Sequence, residues 1–221
     1  MTGTSADALD GCIVSFDDKF QLIESASIKL DKSYKQDYEE CIRAGFKETH
    51  ESKKLLKLEN ILNEKTIELI NILLSNNEIN ISQVSSIGFS GQTVFHTNEN
   101  SYQIGNPSFI SENSKIDVYS DFRNFDIKNG GIGAPLIPAF HKYLYAEDKD
   151  RLIFNIGGIA NGTYLKENKI ALASDVGPGN CLLDLVSSKN FNKPFDNNGD
   201  LASKGELNQI LFEKLIDKCS D

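Results

Sequence analysis

Nowhere in the 221 residues is there an apolar run approaching the ~20 residues of a membrane-spanning helix. The amino terminus also lacks the basic-then-apolar order of a signal peptide. Together these absences make a membrane an unexpected partner and the cytoplasm the expected compartment. Positive charge is scarce: Lys+Arg 23 against Asp+Glu 32 leave a formal net charge of -9, which disfavours nucleic acid and anionic lipid surfaces as partners. Any phosphate site must therefore be local, built from backbone N–H groups and a few cations. The four cysteines, Cys12, Cys41, Cys181 and Cys219, contain no CxxC pair, which argues against a zinc site or a redox motif and for reduced, mostly structural thiols. His50, His96 and His141 are scattered, so spacing proposes no metal ligands. There is no internal repeat and no low-complexity linker. The length allows one large domain or two small ones with a real core.

What the chain does have is centred on Ser174-Asp175-Val176-Gly177-Pro178-Gly179-Asn180. The apolar residues 170–173 predict a buried strand before it, and 181–186 predict a helix start after it. Between them the chain must turn, using the conformational freedom of Gly177 and Gly179 and the fixed dihedral of Pro178. An acid at a strand end, beside a glycine turn and a helix amino terminus, sits where α/β proteins place catalytic groups. The bland alternative is that Asp175 caps the helix or the turn.

Residues 1–10 are small, polar and turn-forming, and strand-like segments at 11–16 and 20–30 follow, joined by a hairpin turn at 17–19. Gly-Thr-Ser and two acids feeding a hairpin form a candidate phosphate-binding turn, in which hydroxyls and N–H groups face the phosphates and Asp holds Mg²⁺ through water. The alternative is a disordered polar terminus. Helical spacing of apolar residues predicts amphipathic helices over 33–46 and 51–74, the second carrying Leu55, Leu58, Leu62, Leu69 and Leu73 near one stripe. A short strand at 84–89 delivers Gln92, Thr93 and His96, either to a polar ligand site or to a satisfied hairpin loop. Pro107 suits the first position of a helix. A strand at 115–120 leads to Asp121-Phe122-Arg123, ahead of a glycine-rich loop at 129–135 and a helix over 136–145. Arg123 is there either an anion or sugar ligand or a surface ion pair. The charged run 147–151 is the best boundary between lobes. Beyond it comes an apolar strand, a Gly157-Gly158 turn and a return strand, which partly echoes the opening segment. Two such turns suit a nucleotide clamped between related domains.

These blocks taken together resemble one family. Met-Thr-Gly-Thr-Ser-Ala-Asp at 1–7, Gly-Gln-Thr-Val-Phe-His at 91–96, Gln-Ile-Gly-Asn-Pro at 103–107 and Asp-Phe-Arg at 121–123 are followed by three more. Those are Gly-Gly-Ile-Gly-Ala-Pro-Leu at 130–136, Asn-Ile-Gly-Gly-Ile-Ala-Asn at 155–161 and Asp-Val-Gly-Pro-Gly-Asn at 175–180. In this order they are similar to the anhydro-N-acetylmuramic acid kinases, in the superfamily that joins sugar kinases, heat-shock ATPases and actin. The resemblance implies a two-lobed α/β fold of the actin-like, sugar-kinase type with ribonuclease H-like mixed sheets. Residues 1–147 would form the first lobe, with the phosphate turn and sugar-binding loops. Residues 148–221 would begin a second, incomplete lobe with the Gly-Gly turn and the catalytic Asp.

Carried over, the resemblance implies that Gly3, Thr4, Ser5, Ala6, Asp7, Ala8, Leu9 and Asp10 belong to the ATP phosphate loop. It also implies that Asp175 is the general base and that Gln92, Thr93 and Arg123 line the sugar pocket. The implied activity is hydrolytic opening of 1,6-anhydro-N-acetylmuramic acid with phosphorylation of O6, giving N-acetylmuramic acid 6-phosphate for peptidoglycan recycling. ATP and Mg²⁺ would be the cofactors and the amino sugar the partner, with a homodimer left open. Ser90 stands where the family usually has His, and Ala8 where it usually has Gly. The family also has a full strand before the segment matched at Met1 and continues past Asp221, so the chain is expected to be truncated at both ends. Two other readings stand beside this one. One is an inactive remnant or non-catalytic amino-sugar-binding module; the other is a superfamily relative that hydrolyses phosphoanhydrides, against which the Asp-Phe-Arg and Gly-Gln-Thr blocks argue.

Overall fold

A computed structural model describes residues 2–3, 5–17, 19–44, 53–76 and 78–219. It is a mixed α/β chain whose sheets, among the described residues, have two or three strands each. The backbone divides into two compact units: 1–151 with 165–171, and 152–164 with 172–221.

The first unit opens with the hairpin read from the sequence. Strand β1 (Ala8–Ser15) pairs antiparallel with β2 (Gln21–Lys29), setting Leu9 opposite Ile28, and the register shifts between Ile13 and Val14. The strand starts earlier than the polar composition of 1–10 suggested, because Leu9 is a core side chain and pulls its neighbours into the ladder. Helix α1 (Lys32–Ala44) and helix α2 (Lys53–Asn76) follow; the expected positions 45, 46, 51 and 52 lie outside the described residues. The leucine stripe of α2 is the spine of the core: Leu58 and Leu62 are fully buried and Leu55, Leu69 and Leu73 nearly so. Removing such side chains from water is what holds the unit, at about 25 cal/mol per Å² of apolar surface.

Next come β3 (Ile87–Gly88), β4 (Gln92–His96) and β5 (Ser101–Ile104), helix α3 (Pro107–Ser114), β6 (Val118–Tyr119), and helices α4 (Phe122–Lys128) and α5 (Pro138–Tyr145). Strand β3 pairs parallel with β6, and β4 pairs antiparallel with β5. The strand expected over 84–89 shrinks to two residues. A 3₁₀ turn at Ile81–Gln83, capped reciprocally by Asn80 and Gln83, holds the chain just before it. Pro107 opens α3 as expected, with Asn106 as the cap accepting from the Phe109 amide at 3.0 Å. Polar groups on α2 fix this corner. Asn63 Oδ1 accepts from the Asn106 amide at 2.8 Å and Glu59 from the Gly105 amide at 3.2 Å. Phe140 and Tyr143 of α5 meet Phe20 and Phe16, with ring centroids 5.2 and 5.7 Å apart.

Strands β7 (Arg151–Ile156), β8 (Ile159–Lys166) and β9 (Lys169–Pro178) form a sheet in that order, followed by helix α6 (Cys181–Phe191) and helix α7 (Gln209–Cys219). Strand β9 runs through Asp175 to Pro178, so the acid lies within the strand and not at its end. The chain turns only at Gly179-Asn180. Among the described residues no helix is long and apolar enough to cross a membrane.

Candidate functional site

In the second unit the stretch around Asp175 is anchored at its far end. The Gly179 amide donates to the Gly158 carbonyl at 2.9 Å, and the Asn180 amide donates to the Gly157 carbonyl at 2.7 Å. Asn180 Nδ2 adds a bond to the Ile156 carbonyl at 3.1 Å. The Gly157-Gly158 turn is thus the cradle for the strand-to-helix connection. Of the two glycines expected to supply unusual angles, Gly177 does so, with φ of 153°. Gly179 has a different reason: a Cβ there would lie 2.2 Å from the Gly157 carbonyl oxygen. Asp175 itself is exposed, and among the described residues its carboxylate has no hydrogen bond or ion pair. It is not a helix cap, since Asn180 holds the cap position of α6. An exposed, unpartnered carboxylate on a pinned strand can accept a proton from a bound molecule.

In the first unit, Gln92 and Thr93 fall inside β4 and not in a loop. Gly91 turns the chain into that strand with φ of 63°, where a Cβ would come within 2.5 Å of the Ile104 carbonyl oxygen. The register of β4 against β5 slips between Thr93 and Phe95; such bulges re-aim side chains next to functional sites. Thr93 is half-buried, whereas Gln92 has 0% exposure. Two tyrosines of α1 clamp the pair: the Tyr34 hydroxyl donates to Gln92 Oε1 at 2.5 Å and the Tyr38 hydroxyl to the Thr93 carbonyl at 2.6 Å. Burial pushes both phenols up, so they stay protonated and act as donors.

Arg123 lies in the first turn of α4, not at a strand end. Its Nη1 donates to the Gly133 carbonyl at 2.8 Å, and Asp126 accepts from the Gly133 amide at 2.8 Å, so α4 pins the glycine-rich loop from both sides of one residue. His96 Nδ1 sits 3.0 Å from the Ser101 hydroxyl, and Asn124 joins Ser101 to α4 through its backbone at 2.9 and 3.0 Å. A cavity of about 470 Å³ opens beside β4, lined among others by Tyr38, Arg43, Thr93 and His96.

Of the segment 3–10, Thr4 lies outside the described residues, and Ala8, Leu9 and Asp10 are strand residues of β1. The remainder is a tight turn: the Ala6 amide donates to the Gly3 carbonyl at 3.1 Å, and the Ser5 hydroxyl donates to Asp7 at 2.5 Å. Ala6 is fully buried yet holds φ of 47°. Four residues earlier the Thr2 hydroxyl is buried without a hydrogen-bond partner. A non-glycine residue in the left-handed region and an orphaned hydroxyl suit a turn whose backbone amides meet an anion. Among the described residues, no cluster of three or more His, Cys, Asp or Glu side chains could hold a metal ion. Cys41 is buried, while Cys12 and Cys181 are exposed and free.

The profile of the anhydro-N-acetylmuramic acid kinases matches residues 1–219. The chain belongs to that family. It is 38% identical over 223 residues to the anhydro-N-acetylmuramic acid kinase of Shewanella denitrificans, covering 98% of this chain and 60% of the relative. The enzyme of the same name from Shewanella pealeana is also 38% identical over the same shares. That of Paraburkholderia xenovorans is 42% identical over 149 residues, 66% of this chain and 40% of the relative. The chain thus spans about 60% of the length of the Shewanella kinases it matches.

Sequence reasoning missed the two α1 tyrosines, although their signal was present. Tyr34 and Tyr38 stand four residues apart on the buried face of a highly charged helix, where a hydroxyl must find a partner. It also missed Asp126 and Asn124, whose roles depend on which loop folds back onto α4.

Proposed function

We propose that this chain carries out, in the cytoplasm, the chemistry for which its relatives are named. 1,6-Anhydro-N-acetylmuramic acid is opened by water and phosphorylated at O6, giving N-acetylmuramic acid 6-phosphate for cell-wall recycling. The architecture that goes with this reading is the two-lobed actin-like ATPase fold, with 1–147 in the first lobe and 148–221 in the second. The observation that carries it is Asp175, an exposed carboxylate without a partner among the described residues. It stands on a strand whose far end is anchored by three hydrogen bonds, in a chain matched to the kinase family over 1–219.

Asp175 takes a proton from water as that water attacks the anomeric carbon. The bond from that carbon to O6 breaks, and O6 attacks the γ-phosphorus. ATP, when bound with Mg²⁺, would supply the phosphoryl group, the bond from the γ-phosphorus to the bridging oxygen breaking as ADP leaves. The amides of residues 5–7 hold the phosphates, which fits the left-handed Ala6 and, nearby in sequence, the orphaned Thr2 hydroxyl. Thr93 and Arg123 orient the sugar, Arg123 from a guanidinium already steadied by the Gly133 carbonyl.

The test is phosphoryl transfer from ATP to the anhydro sugar, compared between wild type and Asp175→Asn. The amide keeps the size and hydrogen bonding of the acid but cannot take the proton. It should bind both ligands and turn over at least roughly a hundredfold more slowly, the low end of general-base assistance. Near wild-type turnover would remove Asp175 from the chemistry.

A further inference from the structure

Gln92 does not sit like a sugar ligand. It has 0% exposure, and Tyr34, at 2%, covers it. Its oxygen receives the Tyr34 hydroxyl at 2.5 Å, while its amide nitrogen turns to the carbonyl of Gly3 at 3.5 Å, the same carbonyl that accepts from Ala6. The orientation follows from chemistry. A backbone carbonyl can only accept, so the nitrogen must face Gly3, which leaves the oxygen for a donor. Tyr34 is that donor, and burial keeps its proton in place.

We infer that Gln92, set by Tyr34, is a positioning residue for the Gly3 carbonyl and the Ala6 amide of the opening turn, whereas its neighbour Thr93 serves the sugar. The inference rests on the reading of that turn as the phosphate segment. Two consecutive residues of β4 then divide the work. Tyr38 fixes the Thr93 backbone one helical turn along α1 and also meets the Gln92 side chain, to which Tyr34 donates from behind. The buried amide, its oxygen taken by Tyr34, biases the orientation of the Gly3 carbonyl through a long contact of 3.5 Å, and with it the Ala6 amide that closes the turn. Losing either half of the relay loosens the turn without touching Thr93 or Arg123.

Two variants separate the halves. Tyr34→Phe removes one hydroxyl and leaves the ring; Gln92→Glu keeps an acceptor for Tyr34 but has no N–H for Gly3. In wild type and both variants, amide hydrogen exchange is measured at residues 5–7 and across β4 and β5. Calorimetric titrations then follow with Mg-ATP and with 1,6-anhydro-N-acetylmuramic acid. The expected result is faster exchange at 5–7 with β4 and β5 unchanged, and Mg-ATP binding weakened roughly two- to tenfold, the net worth of one hydrogen bond, with sugar affinity within twofold. Loss of sugar affinity with Mg-ATP binding intact would overturn the inference and return Gln92 to the sugar pocket. Exchange that rises evenly through the first unit would overturn it too, reducing the pair to core packing. If wild type binds neither ligand, the proposed kinase function fails. The relay is then decided by exchange alone: confinement to 5–7 supports it and a spread overturns it.

Discussion

Replacing Gly179 by Ala tests how the acid-bearing strand is anchored. The added Cβ would stand 2.2 Å from the Gly157 carbonyl oxygen and 3.3 Å from the Ala160 nitrogen. Non-bonded carbon and carbonyl oxygen settle no closer than about 3.3 Å, so the connection must shift by about 1 Å. That shift strains or breaks the Gly179 and Asn180 amide bonds to Gly158 and Gly157, at 2.9 and 2.7 Å, and the Asn180 side-chain bond to Ile156 at 3.1 Å. At about 0.5–1.5 kcal/mol net for each hydrogen bond, losing two or three of them costs about 1–4 kcal/mol. Gly158→Ala is the matched control. Nothing lies within 4 Å of its Cβ position, so its effect should stay within about 0.5 kcal/mol. Urea denaturation followed by circular dichroism, with hydrogen exchange over 156–181, compares the three chains. Wild-type stability and exchange in Gly179→Ala, or equal damage from Gly158→Ala, would refute the steric account and with it the claim that Gly157-Gly158 seats the Asp175 stretch.

Three further outcomes follow from the same geometry. Arg123→Ala should weaken anhydro-sugar binding while leaving Mg-ATP binding nearly intact in calorimetry; equal loss of both would deny Arg123 its sugar role. Leu62→Ala empties a fully buried position of the α2 stripe and should lower unfolding stability by about 2–5 kcal/mol in a denaturant titration. Asp196 accepts the Leu201 and Ala202 amides at 2.8 and 2.9 Å, which hold its carboxyl below the usual range, with nearby Lys193 and Lys204 assisting. A depressed folded pKa contributes stability above the ordinary carboxylate range and loses it as pH falls through the folded value. Protection of amides 201 and 202, taken relative to the intrinsic exchange rate at each pH, should therefore fall on acidification, and Asp196→Asn should flatten that dependence.

The elements that sequence showed well are those in which one face meets the core. The β1–β2 hairpin and the leucine stripe of α2 declare themselves by period, because burial of one face is a local demand written every second or every third to fourth residue. Boundaries were less legible where a distant partner decides them. Strand β9 passes through Asp175 to Pro178 before the chain docks onto the Gly157-Gly158 turn, some twenty residues back. Local composition, reading Gly and Pro as punctuation, ended the strand too early. A strand over 115–120 would set Arg123 just past its end, but only Val118–Tyr119 is strand, paired to the two residues of β3, and Arg123 falls in the first turn of α4. The clamp on β4 was invisible for a different reason. Tyrosine on a helix face reads as packing, and only the fold shows that its hydroxyl meets a residue 58 positions away.

That clamp also gives the protein an internal optical reporter. The chain holds seven tyrosines and no tryptophan, so phenol dominates its near-ultraviolet absorption. Tyr34 and Tyr38 keep their protons because they are shut between α1 and β4, with their hydroxyls committed to Gln92 and Thr93. Their phenolate bands should rise late in an alkaline absorbance titration, as should that of Tyr102, which burial also pushes up. The part of that late step that Tyr34→Phe and Tyr38→Phe remove reports on the contact between helix and strand, with no label attached.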